Sequence, residues 1–165
     1  AAAVYPVAGT DASRAGFARS PTLDGLGWLR ERAPGDVAAI GWLNAHAPSG
    51  SVVLETAGED YSAFGHARIS TFTGLPTVLG WPGHERQWGH DAGTRARDVE
   101  RMYRGGAAEA RPLLRRYGVR YVVAGPLERT DHGDAGAAKW DQLGRRVFAR
   151  AGTTIWDLAQ GPRRT

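Results

Sequence analysis

Two stretches of the chain concentrate side chains able to do chemistry. ETAGEDYSAFGHAR runs from Glu55 to Arg68, and GWPGHERQWGHD runs from Gly80 to Asp91. Glu55 ends an apolar run, where burial raises a carboxyl pKa and suits it to acid or base work. A carboxylate in that position also commonly caps the N–H groups of a neighbouring loop. His84, Glu85, His90 and Asp91 offer nitrogen and oxygen ligands to a metal. Their H-x5-H spacing is not the helical H-E-x-x-H of zinc enzymes, so a structural polar loop is the simpler account. Ser62, His66 and Asp60 have the residue types of a nucleophilic triad, without the G-x-S-x-G elbow that presents a serine. Trp81 and Trp88 offer flat apolar faces to sugar rings, and Arg68, Arg86 and Glu85 can direct hydrogen bonds. Either indole can instead pack in a core. Arg111, Arg115 and Arg116 form a second basic group, read as a solvated helix face with phosphate contact as the alternative. Neither a G-x-x-x-x-G-K-[ST] loop nor a strand-linked G-x-G-x-x-G is present, so nucleotide binding by those devices has no support.

The elements that must position these residues follow from periodicity and punctuation. Helices are expected from Thr22 or Asp24 to Arg32, from an Asp36 cap to Ala47, and over Arg68 to Thr73. Another runs from a Thr94 cap to Arg104. A further helix contains Leu113 and Leu114 and closes at Gly118, with Pro112 in its first turn or at a kink. The last is expected over Ala135 to Leu143. Three β-branched runs read as strands: SVVLET (51–56), PTVLG (76–80) and VRYVVA (119–124). Val147 to Arg150 and Thr153 to Leu158 flank Ala151-Gly152 as a hairpin. Trp81 to Gly93 reads as a long loop. This alternation predicts an α/β layered sandwich with a small, mostly parallel sheet and an antiparallel C-terminal hairpin at its edge.

In an open α/β sheet, ligands sit at the carboxyl ends of the strands. Both polar stretches follow strands, so Glu55, Tyr61, Arg68, His84, Glu85 and Trp88 are expected to line one surface groove. An Arg68–Glu85 pair pinning the long loop is the competing expectation. No catalytic residue and no metal site is assigned.

Composition narrows the function classes. The 165 residues suffice for one buried core. They contain 15 aromatics and no apolar run of about 18 residues that would span a membrane. Ala1 to Ala8 has no basic start and is too short for a signal peptide. The net charge is +4, but the basic residues are 20 Arg and one Lys scattered among 17 acids. With 27 Ala and 23 Gly, that balance reads as genomic bias more than a basic groove, so nucleic acid is not expected as a partner. The absence of cysteine excludes thiol nucleophiles, disulfides and Cys-ligated zinc, and fits an extracytoplasmic setting.

Four runs support a resemblance: SPTLDGLGWL (20–29), DVAAIGWLNAHAP (36–48), VVLETAGEDYSAFGHARISTFTGLPTVLGWPGHERQW (52–88) and LLRRYGVRYVVAGPLER (113–129). They resemble the C-terminal soluble part of the "YYY" family of uncharacterised multi-spanning membrane proteins, which is similar to GT-C type membrane glycosyltransferases. The resemblance implies residues 1–20 as a lead-in from an upstream membrane segment, 21–160 as one extracytoplasmic α/β domain, and 161–165 as a tail. It implies a polyprenyl-phosphate-sugar donor and catalytic carboxylates in the membrane part, with any divalent metal there and no cofactor in this domain. The implied partners are the transmembrane part of the same polypeptide and a glycan or lipid-linked sugar. The domain would sit at the cell membrane on the extracytoplasmic side, assist acceptor or glycan binding, and not be catalytic alone. Glu59-Asp60-Tyr61 loosely resembles the tryptophan-and-aspartate motif with which oligosaccharyltransferases read acceptors, without its tryptophans. Two other classes remain open: a self-contained hydrolase or metal-dependent enzyme using His84, Glu85 and Glu55, and a purely structural interaction domain.

Overall fold

Val52–Leu54 (β1) lies parallel to Val119–Ala124 (β2), which continues antiparallel into Thr153–Asp157 (β4) and then Arg145–Arg150 (β3). The structure, a computed structural model, describes residues 8–9, 24–58, 65–133 and 137–161. Val53 pairs with Tyr121 and Leu54 with Val122, while Val122 also opposes Trp156. Only one of the three strand pairs is parallel. PTVLG does lie beside β1, but it contributes a single bridge, Thr77 to Val53, and one bond from Val53 N–H to the Pro76 carbonyl at 2.9 Å. Proline has no N–H to donate to a ladder, and this segment is not a full strand.

Strand side chains alternate between faces, so this short sheet serves two cores. On one face Leu54, Val122 and Trp156 pack with Val99, Met102, Leu113, Leu114 and Trp140. These come from helices Ala92–Arg104 (α5), Ala107–Arg116 (α6) and Ala137–Leu143 (α8). On the other face Val53, Tyr121, Val123 and Ile155 pack with Leu29, Ile40, Leu43 and Ile69. These belong to Gly27–Arg32 (α1), Pro34–His46 (α2) and Arg68–Thr73 (α3). Helix layer, sheet and helix layer together make the α/β sandwich expected of the sequence.

Several boundaries move, each for a local reason. α2 starts at Pro34 rather than at an Asp36 cap, because proline at the first helical position is preset in φ and lacks only an N–H that would be unsatisfied anyway. Asp36 then falls inside the first turn and points into the protein. α5 begins at Ala92 instead of Thr94. Asp91 caps it, its carboxylate accepting from Gly93 N–H at 2.9 Å and Thr94 N–H at 3.3 Å, and a carboxylate suits the positive helix end better than a hydroxyl. The expected loop after Trp81 contains a short helix, Pro82–Gln87 (α4), again started by a proline. α6 begins at Ala107, which leaves Pro112 in its interior. The hairpin turns on Ala151 (φ 46°) and Gly152 (φ 81°), the double positive φ of a type I′ turn.

One side chain ties α8 to α5. Lys139 Nζ donates to the carbonyls of Met102 (2.6 Å), Tyr103 and Gly105 (2.7 Å), the C-terminal oxygens that α5 cannot satisfy internally. Burial pushes its ammonium down to about 8, against the opposing charge of Glu109.

Candidate functional site

The carboxyl ends of the parallel strands β1 and β2 are where the topology gathers polar groups. Glu55 follows β1 immediately and is fully buried. Its two oxygens accept from Ile69 N–H and Ser70 N–H, both at 2.8 Å. α3 has no cap of its own, since Ala67 precedes it with φ 58°. Glu55 thus caps a helix from across the sequence. Burial raises its carboxyl above the ordinary value, while the Arg68 charge and the helix N–H groups pull it back. Both features expected of Glu55, the raised pKa and the capping role, meet in one residue.

Arg68 lies under the surface rather than in an open groove. Its Nε donates to Asp36 at 2.6 Å, and Nη1 and Nη2 grip Glu128 at 3.1 and 2.8 Å. Glu128 also accepts from Gly125 N–H (2.8 Å) and Thr56 N–H (3.1 Å), and Asp36 accepts from the Thr153 hydroxyl (2.6 Å). The competing expectation for Arg68 named the wrong acid: it is pinned by Asp36 and Glu128. Glu128 belongs to Pro126–His132 (α7), so this network joins α2, α3, α7, β4 and the end of β1. The Arg68 charge holds Glu128 below the usual carboxylate range despite complete burial, and the two acids hold the guanidinium well above its own. A Cβ on Gly125 would lie 2.5 Å from Asp36 Oδ1, so only glycine fits where β2 ends.

A second chain of contacts runs beside this network. Glu100 Oε2 lies 3.0 Å from His132 Nδ1, and His132 Nε2 lies 2.9 Å from the Thr56 hydroxyl. That hydroxyl is 2.7 Å from Asp131 Oδ2, which is 3.0 Å from His66 Nε2. The His132 ring stacks on Tyr103 at 4.6 Å. The misaligned contact is His132 Nδ1 to Glu100, where no hydrogen bond forms. Burial pushes the His132 pKa below 6.5 against the pull of Glu100, Asp131 and Glu128. The Thr56–His132–Glu100 order matches that of a hydrolytic relay, yet Thr56 is fully buried and cannot meet a substrate.

α4 forms the exposed part of the region. His84 and Glu85 are half-buried on it, and Trp88, at its end, is 79% exposed. Trp81 anchors the segment by donating from Nε1 to the His66 carbonyl at 3.1 Å, with its ring edge-on to His84 at 5.2 Å. Of the six residues expected to share a groove, Glu55 and Arg68 belong to the buried layer, and His84, Glu85 and Trp88 to the surface segment. Tyr61 lies outside the described residues, as do Asp60 and Ser62. His66 pairs with Asp131. Among the described residues no three His, Asp or Glu side chains gather as a metal site, and Asp91 is engaged in capping α5.

Sequence reasoning missed Asp36 as a buried anion, and gave no site role to Thr56, Glu100, Glu128, Asp131 or His132. Glu128 alone had a readable signal. Gly125-Pro126-Leu127-Glu128 places a carboxylate three residues after a helix start, where it returns to the capping N–H.

No family model matches the chain, and no curated protein matches it. Among solved structures, the chain is similar to the crystal structure of the C-terminal globular domain of oligosaccharyltransferase from Archaeoglobus fulgidus. The identity is 14% and the TM-score 0.46, over 84% of this chain and 99% of that one. A score of that size carries neither a shared site nor a shared activity.

Proposed function

We propose that the chain is the extracytoplasmic domain, over residues 21–160, of a GT-C-like membrane glycosyltransferase, a member of the "YYY" family, and that it contacts glycan without being catalytic alone. The observation that carries this reading is Trp88. Its indole is 79% exposed at the end of a short helix that Trp81 ties to the His66 carbonyl. A large flat apolar face held in water is suited to stacking on a sugar ring, with His84 and Glu85 beside it to direct hydroxyl groups. The buried carboxylates are already committed, Glu55 to helix N–H groups and Glu128 to Arg68. In this reading the donor is a polyprenyl-phosphate sugar, and the reacting carboxylates and any divalent metal belong to the membrane part of the same polypeptide.

A glycan and lipid-linked-sugar profile of cells carrying the full-length protein with Trp88→Ala tests the contact. Product is expected to fall at least several-fold while the melting temperature of the domain stays within a degree or two, because an exposed side chain contributes little to folding. Product that falls only in proportion to folded protein would make Trp88 structural. Sugar transfer by the purified 165-residue chain would overturn the non-catalytic assignment.

A further inference from the structure

We propose that the cleft between α6, the start of β2 and the turn after β4 binds a small organic phosphate, a phosphate monoester carried on an apolar body. This cleft lies apart from the α4 surface and does not depend on the reading of Trp88. It holds about 370 Å³, within the range of small-molecule sites. Leu114, Leu143 and Leu158 give it an apolar lining, and Arg111, Arg115 and Arg120 bring three guanidinium groups to it.

The charge is concentrated by the fold. Arg111 and Arg115 are four residues apart on α6, so they share a face and repel one another. Neither has an acidic partner among the described residues. Their neighbour Arg116 turns away, lying 3.5 Å from Asp98 and over the Tyr117 ring at 5.4 Å. Arg120 comes from β2, lies over the Tyr121 ring at 5.2 Å and approaches Asp157 at 3.5 Å. That carboxylate already accepts from Ala159 N–H at 2.9 Å and Gln160 Nε2 at 2.8 Å. The basic group that the sequence shows as Arg111, Arg115 and Arg116 is thus redrawn, with Arg120 replacing Arg116.

Two features select the ligand class. Guanidinium forks match the oxygens of a phosphate, which is close to a dianion at neutral pH. A bare, fully hydrated ion would leave the half-exposed Leu158 wet, whereas an alkyl or aryl body covers it and excludes water from the charge pairs. The shared chemistry, phosphate on an apolar body, belongs both to soluble esters and to lipid headgroups.

Titration of the 15N-labelled 165-residue chain with decyl phosphate, followed by amide shifts, tests the site. Saturable shifts are expected at Gly118, Val119, Leu143 and Ala159. Inorganic phosphate and decyl maltoside, which lack the tail and the charge respectively, are expected to bind at least tenfold more weakly. The double change Arg111→Gln and Arg115→Gln should weaken decyl phosphate at least tenfold with the melting temperature unchanged, since both side chains are exposed. Vesicles containing phosphatidic acid that perturb the same amides would assign a lipid headgroup as the source. Binding of phenyl phosphate without a vesicle effect would assign a soluble ester. Shifts scattered elsewhere, equal binding of decyl maltoside, or undiminished binding by the double variant would show a solvated helix face and overturn the proposal.

Discussion

His132 has an oxygen within 3.0 Å of each ring nitrogen, and only the Nε2 contact has hydrogen-bond geometry. The consequence is a definite pH dependence. Its pKa in the folded chain is below the ordinary 6.5, with burial the leading cause. The unfolded chain then takes up the proton first as pH falls. The stability that a neutral His132 contributes is complete above about pH 6.5 and is lost as pH falls through the lower folded value. Glu55 acts in the opposite direction, because its folded pKa is raised and its contribution is lost as pH rises through that value. His132→Gln keeps a donor near the Thr56 hydroxyl and removes the titration. Urea unfolding across pH 5–7 should therefore show a shallower loss of stability toward acid in the variant than in the parent. Equal slopes would mean that the imidazole titrates as it does in water. A 15N spectrum of the ring nitrogens checks the tautomer independently.

At the scale of elements, the hairpin between β3 and β4 contains a correctable flaw. Ala151 adopts φ 46° although its Cβ disfavours the left-handed region, while Gly152 beside it takes φ 81° freely. Ala151→Asn makes the turn Asn-Gly, the pair best suited to a type I′ turn, and should raise the unfolding free energy by about 0.5–1 kcal/mol. A loss of stability on denaturant unfolding would mean that the methyl group packs usefully. This hairpin, β2 and α3 were legible in the sequence because their signals are local: a positive-φ pair, a β-branched run, and the helical spacing of Ile69 and Phe72. Boundaries failed where two local signals competed, as with Asp91 against Thr94 and Pro34 against Asp36. PTVLG failed for another reason, since the length of a strand is set by its partner and β1 offers it only Val53. Glu55 was legible as a strand-end carboxylate. The Arg68 network was not, because Asp36 and Glu128 lie 32 and 60 residues away and no spacing announces them.

For the whole molecule, that network is the joint between layers. Arg68 connects α2 and α7, and through Asp36 and Glu128 it reaches Thr153 on β4 and the backbone after β1. Replacing it with methionine keeps most of the volume and strands two buried carboxylates. The expected loss is about 3–5 kcal/mol by urea unfolding, enough to consume much of the stability of a domain this size. Arg68→Lys should recover little, since an ammonium cannot grip both acids as the fork does. A loss within 1 kcal/mol would show that water reaches the joint.

Lys139 has a practical consequence. It is the only lysine in the chain, and its nitrogen is covered by three carbonyl groups at the end of α5. Amine-directed reagents, whether biotin esters, fluorophore esters or aldehyde fixatives, therefore find only the chain terminus and one concealed nitrogen. The rate at which it acquires a label is then a clock for the opening of α8 from α5, readable by mass on a single residue.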